Sequence, residues 1–215
     1  MISLFSQPEL FFAELKGRLE GKLPGGEAQN PMSSRSRIST EEYLKRNPNY
    51  RRSAVLLPLF PEKGTIYAAM ILRPSYDGLH SGQLALPGGK VEESDHSFQH
   101  TALRETEEEV GIKIPDENIL GKLSAVYIPV SNFLVQPFTA FLPEKPNWIP
   151  DKKEVEEVIE FPLENILDPA LKERRRIQIG KNMTIDAPCY IINGKVLWGA
   201  TAMMFSELES VLSKK

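Results

Sequence analysis

Cysteine is almost missing from this chain. Only Cys189 stands in its 215 residues. A lone thiol rules out an internal disulfide framework and any cysteine-rich zinc centre. With no histidine signal beside it, Cys189 reads as a buried structural thiol rather than a nucleophile. Long apolar runs are missing too: nothing approaches the roughly 18 consecutive apolar residues of a membrane span. Nor is there an excess of either charge. A total of 26 basic against 29 acidic residues gives a net charge of −3. That balance argues against a nucleic-acid surface and against any broad attraction to acidic membranes. The stretch Met1–Glu9 has no basic start and no sustained apolar core, so no signal peptide is expected. Glu9 and Glu14 are out of place in a transit peptide. The cytoplasm is the expected compartment.

What is present is an ordinary globular composition, 41% hydrophobic and 26% charged. The length suits one domain with a sizeable core. Ser6-Gln-Pro-Glu9 has the form of a capping box, and Leu10, Phe11, Phe12, Leu15 and Leu19 follow at helical spacing. Residues 22–40 read as a surface loop. Residues 1–50 are therefore expected to pack, as a helix and a loop, on a main domain of residues 51–215. Ala54–Phe60 and Thr65–Leu72 flank Pro61–Gly64 as a hairpin. Lys122–Ile128 and Phe133–Leu142 read as strands, Pro143–Asp151 as a Pro-rich loop, Val155–Phe161 as a strand and Glu164–Leu167 as a short helix. Arg175–Ile179, Tyr190–Ile192 and Val196–Trp198 read as short strands, with Asn193-Gly194 a type I′ turn. A last helix runs from about Gly199 through Leu212, with Met203, Leu208 and Leu212 inward. Strands interleaved with helices predict an α/β fold, a mixed sheet between helical layers.

The chemistry gathers between Leu86 and Ile112. A Pro-Gly-Gly turn, Pro87–Gly89, precedes an amphipathic helix. At about 100° per residue, Glu105, Glu108 and Glu109 fall within an arc of about 100°, with Arg104 at its edge. Glu107 points to solvent. Phe98, Ala102, Thr106 and Val110 form a separate inward stripe. Asp95 is placed to cap the helix start and Gly111 to end it in the left-handed conformation. Carboxylates so close repel one another, and a divalent cation among them relieves the repulsion. Mg²⁺ or Mn²⁺ would take oxygen ligands there and serve diphosphate chemistry. A solvated acidic face is the plainer reading of a charge run; the turn and the spacing favour the metal.

This stretch resembles the Nudix hydrolase signature, G-x5-E-x7-R-E-U-x-E-E-x-G-U with U apolar. Gly89, Arg104, Glu105, Glu108, Glu109, Gly111 and Ile112 match it. The first acidic position is Asp95, eight residues rather than seven separate it from Arg104, and Thr106 occupies an aliphatic position. Leu79–Gly89 is similar to the segment that precedes the signature in coenzyme A diphosphatases, a subgroup that shares the Asp and the longer spacing. Glu154–Leu163 and Trp198–Ala202 also resemble that subgroup. The resemblance implies a Nudix-type α/β/α sandwich and metal-dependent cleavage of coenzyme A or acyl-coenzyme A, or else of another nucleoside diphosphate derivative such as ADP-ribose. A non-catalytic binding module is the third reading, and three clustered carboxylates argue against it.

By the same resemblance, metal falls to Gly89 through its carbonyl and to Glu105, Glu108 and Glu109. Arg104 orients a ligand carboxylate in its planar fork. Glu108 is the first candidate for general base and Glu105 the second. Glu154, Glu156 and Glu157 are weaker candidates, read as a polar strand edge. For substrate the candidates are Arg73, which ends a strand within reach of a phosphate, together with His80, Ser81, Gln83 and Gly88 around the turn. His96 and His100 read as surface residues, Arg174–Arg176 as a solvated charge run, and Tyr190 and Trp198 as core aromatics. The expected partner is a small nucleoside diphosphate, with no nucleic acid and no membrane. A homodimer is compatible with this reading.

Overall fold

The computed structural model describes residues 2–74, 82–179 and 183–213. Alternation in the segment after Tyr50 decides the architecture. Strand β1 (Arg51–Glu62) sends Ala54, Leu56 and Phe60 into one apolar cluster and Leu57 and Leu59 into another. A strand covered on both faces must lie between two layers. β1 pairs antiparallel with β2 (Thr65–Leu72) across Lys63 and Gly64, both with positive φ, the turn geometry whose twist suits a hairpin. It pairs in parallel with β7 (Phe133–Phe141). Antiparallel additions complete one eight-stranded sheet. β3 (Leu84–Ala85) and β8 (Glu157–Pro162) pair with β2, β4 (Gly88–Lys90) with β1, and β5 (Ile119–Lys122) and β6 (Val126–Ile128) with β7.

The two faces of this sheet are covered by different segments. On one lies α5 (Phe98–Val110), whose Ala102 and Val110 meet Leu56, Phe60, Phe138 and Ala140. On the other lie the short α1 (Ile2–Phe5), α2 (Pro8–Glu20) and α6 (Gly199–Ser213). Phe11, Leu15, Met203, Phe205 and Leu208 pack there with Leu57, Leu59, Ile66 and Met70. The result is the expected α/β/α sandwich with a mixed sheet. A second, antiparallel sheet holds β9 (Lys172–Ile179), β10 (Met183–Ile192) and β11 (Lys195–Trp198), the last two joined by Asn193 and Gly194 at positive φ. Among the described residues no helix is long and apolar enough to cross a membrane.

The N-terminal segment is held to α6 by buried polar groups. Glu207 has no exposed surface. Its carboxylate accepts from the Gly25 N–H at 3.0 Å, the Gln29 amide at 2.8 Å and the Ser124 N–H at 3.1 Å. Three donors compensate for burying the charge. Arg18 donates to the carbonyls of Val211 and Leu212, in the last turn of α6, at 2.9 and 2.6 Å.

Several local expectations change. The supposed capping box does not cap: α2 starts with Pro8 at its first turn, after Gln7, whose side chain makes no capping bond. Proline's fixed φ is enough to start the helix there. The loop over residues 22–40 contains α3 (Gly26–Gln29) and a 3₁₀ turn (Asn30–Met32), and α4 (Thr40–Arg46) follows it. α4 buries no residue, so it carries no apolar stripe to betray it. Its signal is local: the Ser39 hydroxyl accepts the Glu42 N–H at 3.1 Å. The strand expected at Lys122–Ile128 is broken into β5 and β6, and the Gln136 amide takes the Leu123 carbonyl at 2.7 Å within the break. The segment Glu164–Leu167 lies in a 3₁₀ helix from Leu163.

Candidate active site

The glycine turn expected from the sequence is extended chain instead: Gly88 and Gly89 lie in strand β4, between β1 and the carboxylates of α5. β4 runs beside β1, Gly89 opposite Ala54 and Gly88 opposite Val55. A Cβ on Gly88, whose φ is 146°, would strike the Ala54 carbonyl and the Val55 backbone; one on Gly89 would strike the Glu105 carboxylate. The bare backbone can therefore meet both neighbours. The Ser53 hydroxyl donates to the Gly89 carbonyl at 2.6 Å, and the Gly88 N–H donates to Glu109 Oε2 at 2.8 Å.

The entry to α5 differs from the sequence reading. Ser97, not Asp95, caps the helix: its hydroxyl accepts the His100 N–H at 3.0 Å. Asp95 is drawn inward instead, its side chain fully shielded from solvent. Arg104 Nε and Nη2 grip its two oxygens at 3.1 and 3.0 Å. The Thr101 hydroxyl, at 2.9 Å, and the Glu92 N–H, at 2.9 Å, also donate to it. Chiefly through the Arg104 guanidinium, the Asp95 carboxyl is held far below the ordinary carboxylate range, and Arg104 in turn is held more tightly protonated. His100, expected at the surface, is half-exposed and lies with Nδ1 2.8 Å from Asp95. At the far end Gly111, with φ of 71°, closes the helix in the left-handed conformation as expected.

Arg104 is a hub rather than the holder of one glutamate. Besides Asp95 it donates to Glu105 Oε1 at 3.0 Å, to Glu108 Oε2 at 2.9 Å and to the Lys90 carbonyl at 3.2 Å. The helix carboxylates are thereby divided. Glu108, its side chain 59% exposed, leans toward Arg104, one turn back. Glu105 and Glu109 lie against the glycine pair, while Glu107 is exposed, as expected. Among the described residues no three His, Cys, Asp or Glu side chains are already gathered closely enough to enclose a metal.

Glu109 is only 2% exposed. Burial pushes its pKa up to about 7, against the opposing pull of the Gly88 N–H and the Arg73 charge. Repulsion from Glu105 and Glu154 adds to the rise. Glu105 is raised as well, first by burial and then by Glu108 and Glu154, although Arg104 opposes this. The influence of Glu154 comes from the fold. The Pro-rich loop docks on the end of α5, where the Ile149 N–H meets the Val110 carbonyl and the Asp151 N–H meets the Glu109 carbonyl, each at 2.9 Å. Glu154 thus belongs to the field of the site rather than to a strand edge, since β8 begins only at Glu157. Glu157 is ion-paired with Lys195 at 3.1 Å.

Of the other expected residues, Arg73 follows β2 and donates its N–H to the Gln83 carbonyl at 3.0 Å. His80 and Ser81 lie outside the described residues. Arg174 is paired with Asp186 at 2.8 Å and Arg175 with Glu173, on an exposed strand, as a solvated charge run should be. Tyr190 and Cys189 are fully buried, and the Tyr190 hydroxyl donates to Glu209 at 3.1 Å. The sequence reading had no place for Ser53, which fixes the Gly89 carbonyl. Its only signal was an inward-facing polar position on β1.

Known proteins share this arrangement's frame. The chain is 33% identical over 154 residues to "Mitochondrial coenzyme A diphosphatase NUDT8" of Homo sapiens, a match covering 71% of this chain and 65% of that protein. It is 34% identical over 169 residues to "Nudix hydrolase 15, mitochondrial" of Arabidopsis thaliana, covering 75% of this chain and 58% of that one. Both matches span less than two thirds of the relative's own length. The crystal structure of a MutT protein from Methanosarcina mazei Go1 shares the fold, with a TM-score of 0.52 at 22% identity over 77% of this chain and 96% of that one. Residues 49–179, which include the glycine pair, Asp95, Arg104 and every α5 carboxylate discussed above, match the NUDIX domain, and the chain belongs to the Nudix family.

Proposed function

We propose that the chain is a metal-dependent diphosphate hydrolase that cleaves coenzyme A or acyl-coenzyme A to 3′,5′-ADP and (acyl-)4′-phosphopantetheine. The observation that carries the hydrolase reading is the meeting of Glu105 and Glu109 at the Gly88-Gly89 backbone. Both carboxylates resist ionisation there, which is the condition a hard cation relieves. Oxygen donors suit Mg²⁺ or Mn²⁺. The Gly89 carbonyl, which has a second lone pair beyond its bond to Ser53, completes a fitting set with Glu105 and Glu109. Glu108, whose Oε2 stays on Arg104, would join them through Oε1. When bound, the cation supplies neutralisation of the diphosphate charge and a more acidic water.

The remaining work falls to the chain. Asp95 fixes Arg104, and Arg104 fixes the rotamers of Glu105 and Glu108. Glu109 would have to lose its proton before it could hold a cation, so metal binding should strengthen with pH. Glu108, open to solvent, takes the proton of the attacking water, with Glu105 next in line. Gly88 and the segment around Gln83 border the substrate. The choice of coenzyme A rests on the human relative's name and on the resemblance of Leu79–Gly89 to the corresponding segment of coenzyme A diphosphatases.

The test is a panel of coenzyme A, an acyl derivative, dephospho-coenzyme A and ADP-ribose with Mg²⁺ or Mn²⁺, the products identified by mass. Coenzyme A should yield the two named products, chelator should abolish turnover, and Glu108→Gln should lower it by about 10²-fold or more. Turnover that survives chelation contradicts the metal. Near-normal turnover by a folded Glu108→Gln protein removes Glu108 from the base's role.

A further inference from the structure

We propose that Arg73 receives a non-bridging phosphate oxygen of the substrate through a buried donor that has no partner among the described residues. The inference rests on the diphosphate reading of the site. Arg73 is fixed where two site segments meet. Its own N–H bonds to the Gln83 carbonyl on the approach to the glycine pair, and the carbonyl of Leu72 before it accepts the Glu156 N–H at 2.9 Å, just after Glu154. Its positive charge is felt at Glu109, where it offsets part of the cost of burial. Yet Arg73 Nε is buried and, among the described residues, has no hydrogen-bond partner.

Arg104 shows the contrast. Its Nε, Nη1 and Nη2 are all engaged by oxygens. Glu109, which feels the Arg73 charge, forms no ion pair with it and has Oε2 engaged by the Gly88 N–H. A buried donor without an acceptor is rare in folded proteins and calls for an explanation. Beside a glycine pair and two carboxylates that need a cation, the fitting acceptor is an anion that arrives with one. A diphosphate has that property, and the guanidinium fork matches phosphate oxygens. The identity of the residue matters because lysine has no donor at the Nε position: Arg73→Lys keeps the charge and loses the buried N–H.

The probe is methylenediphosphonate, a diphosphate that cannot be hydrolysed, titrated calorimetrically into the full chain with Mg²⁺. Mn²⁺ binding without the probe is followed by electron paramagnetic resonance. Arg73→Gln should weaken probe binding by about tenfold or more, the scale of one charge-assisted hydrogen bond. Arg73→Lys should weaken it in the same direction, and because lysine keeps the charge felt at Glu109, Mn²⁺ alone should bind this variant as well as wild type. If Arg73→Gln does not fold, Arg73→Lys decides the matter. Wild-type binding of the probe by both variants overturns the inference, as does a failure of the wild type to bind it. A parallel loss of Mn²⁺ and probe in Arg73→Lys also overturns it, because Arg73 would then act through Glu109. Wild-type hydrolysis is scored separately: absence of turnover with Arg73-dependent probe binding refutes the hydrolase and leaves this inference standing.

Discussion

Replacing Glu109 by Gln should stabilise the metal-free protein in alkaline solution while removing its response to metal. Glu109 is almost fully buried and its pKa is raised from 4.5 to about 7. The folded state therefore binds a proton that the unfolded chain has released. Its stabilising contribution is complete below about 4.5, falls as pH rises and is lost once pH has passed about 7. That rise corresponds to about 3 kcal/mol between the two limits. Glutamine is neutral at every pH and its carbonyl can still accept the Gly88 N–H. In urea unfolding with chelator, wild type and variant should be similar near pH 5, and the variant should be more stable by about 2–3 kcal/mol near pH 8.5. Glu105, also raised by burial, leaves a smaller slope of the same sign in the variant. Asp95 acts in the opposite sense at lower pH, because its depressed pKa gives stability that is lost only in acid. Added Mg²⁺ should raise wild-type stability at pH 8.5 and leave Glu109→Gln nearly unmoved. A variant less stable than wild type at pH 8.5 without metal, or a flat wild-type profile, would refute this account of the site.

Other substitutions separate catalysis from support. Arg104→Lys should lower kcat by roughly 10²-fold with little change in KM, because an ammonium cannot hold Asp95, Glu105 and Glu108 together; a rise in KM alone would point to direct substrate contact. Ser53→Ala should cost about 1 kcal/mol in denaturant unfolding and weaken Mn²⁺ binding, since the Gly89 carbonyl loses its anchor; unchanged metal affinity would remove Ser53 from the site. Glu207→Ala strands the Gly25, Gln29 and Ser124 donors. It should cost about 3 kcal/mol and open residues 20–40 to limited proteolysis, whereas wild-type protease resistance would contradict the tie to α6.

Much of this fold could be read from patterning, because the near-continuous apolar runs of β1 and β2 and a period near four in α5 are imposed by burial itself. The carboxylate-bearing face of α5 was legible for the same reason, whereas Gly88 and Gly89, read as a turn, lie in strand β4. The partition of those carboxylates was not. A helical projection fixes where a Cβ points, but the long Glu108 side chain turns to a guanidinium one turn back. Asp95 and Ser97 both have capping chemistry, and only the tertiary position of Arg104 decides that Asp95 faces inward. Glu154 depends on a loop docking onto the end of α5, a contact that no local pattern announces. α4 is short and exposed, so burial left no mark on its sequence.

The central claim is that the site hydrolyses the diphosphate of coenzyme A, and its most direct test is kcat/KM for coenzyme A against ADP-ribose on one preparation of the full chain with Mg²⁺. The account predicts a higher value for coenzyme A or an acyl derivative, with dephospho-coenzyme A between it and ADP-ribose. Faster hydrolysis of ADP-ribose than of every coenzyme A derivative would contradict it.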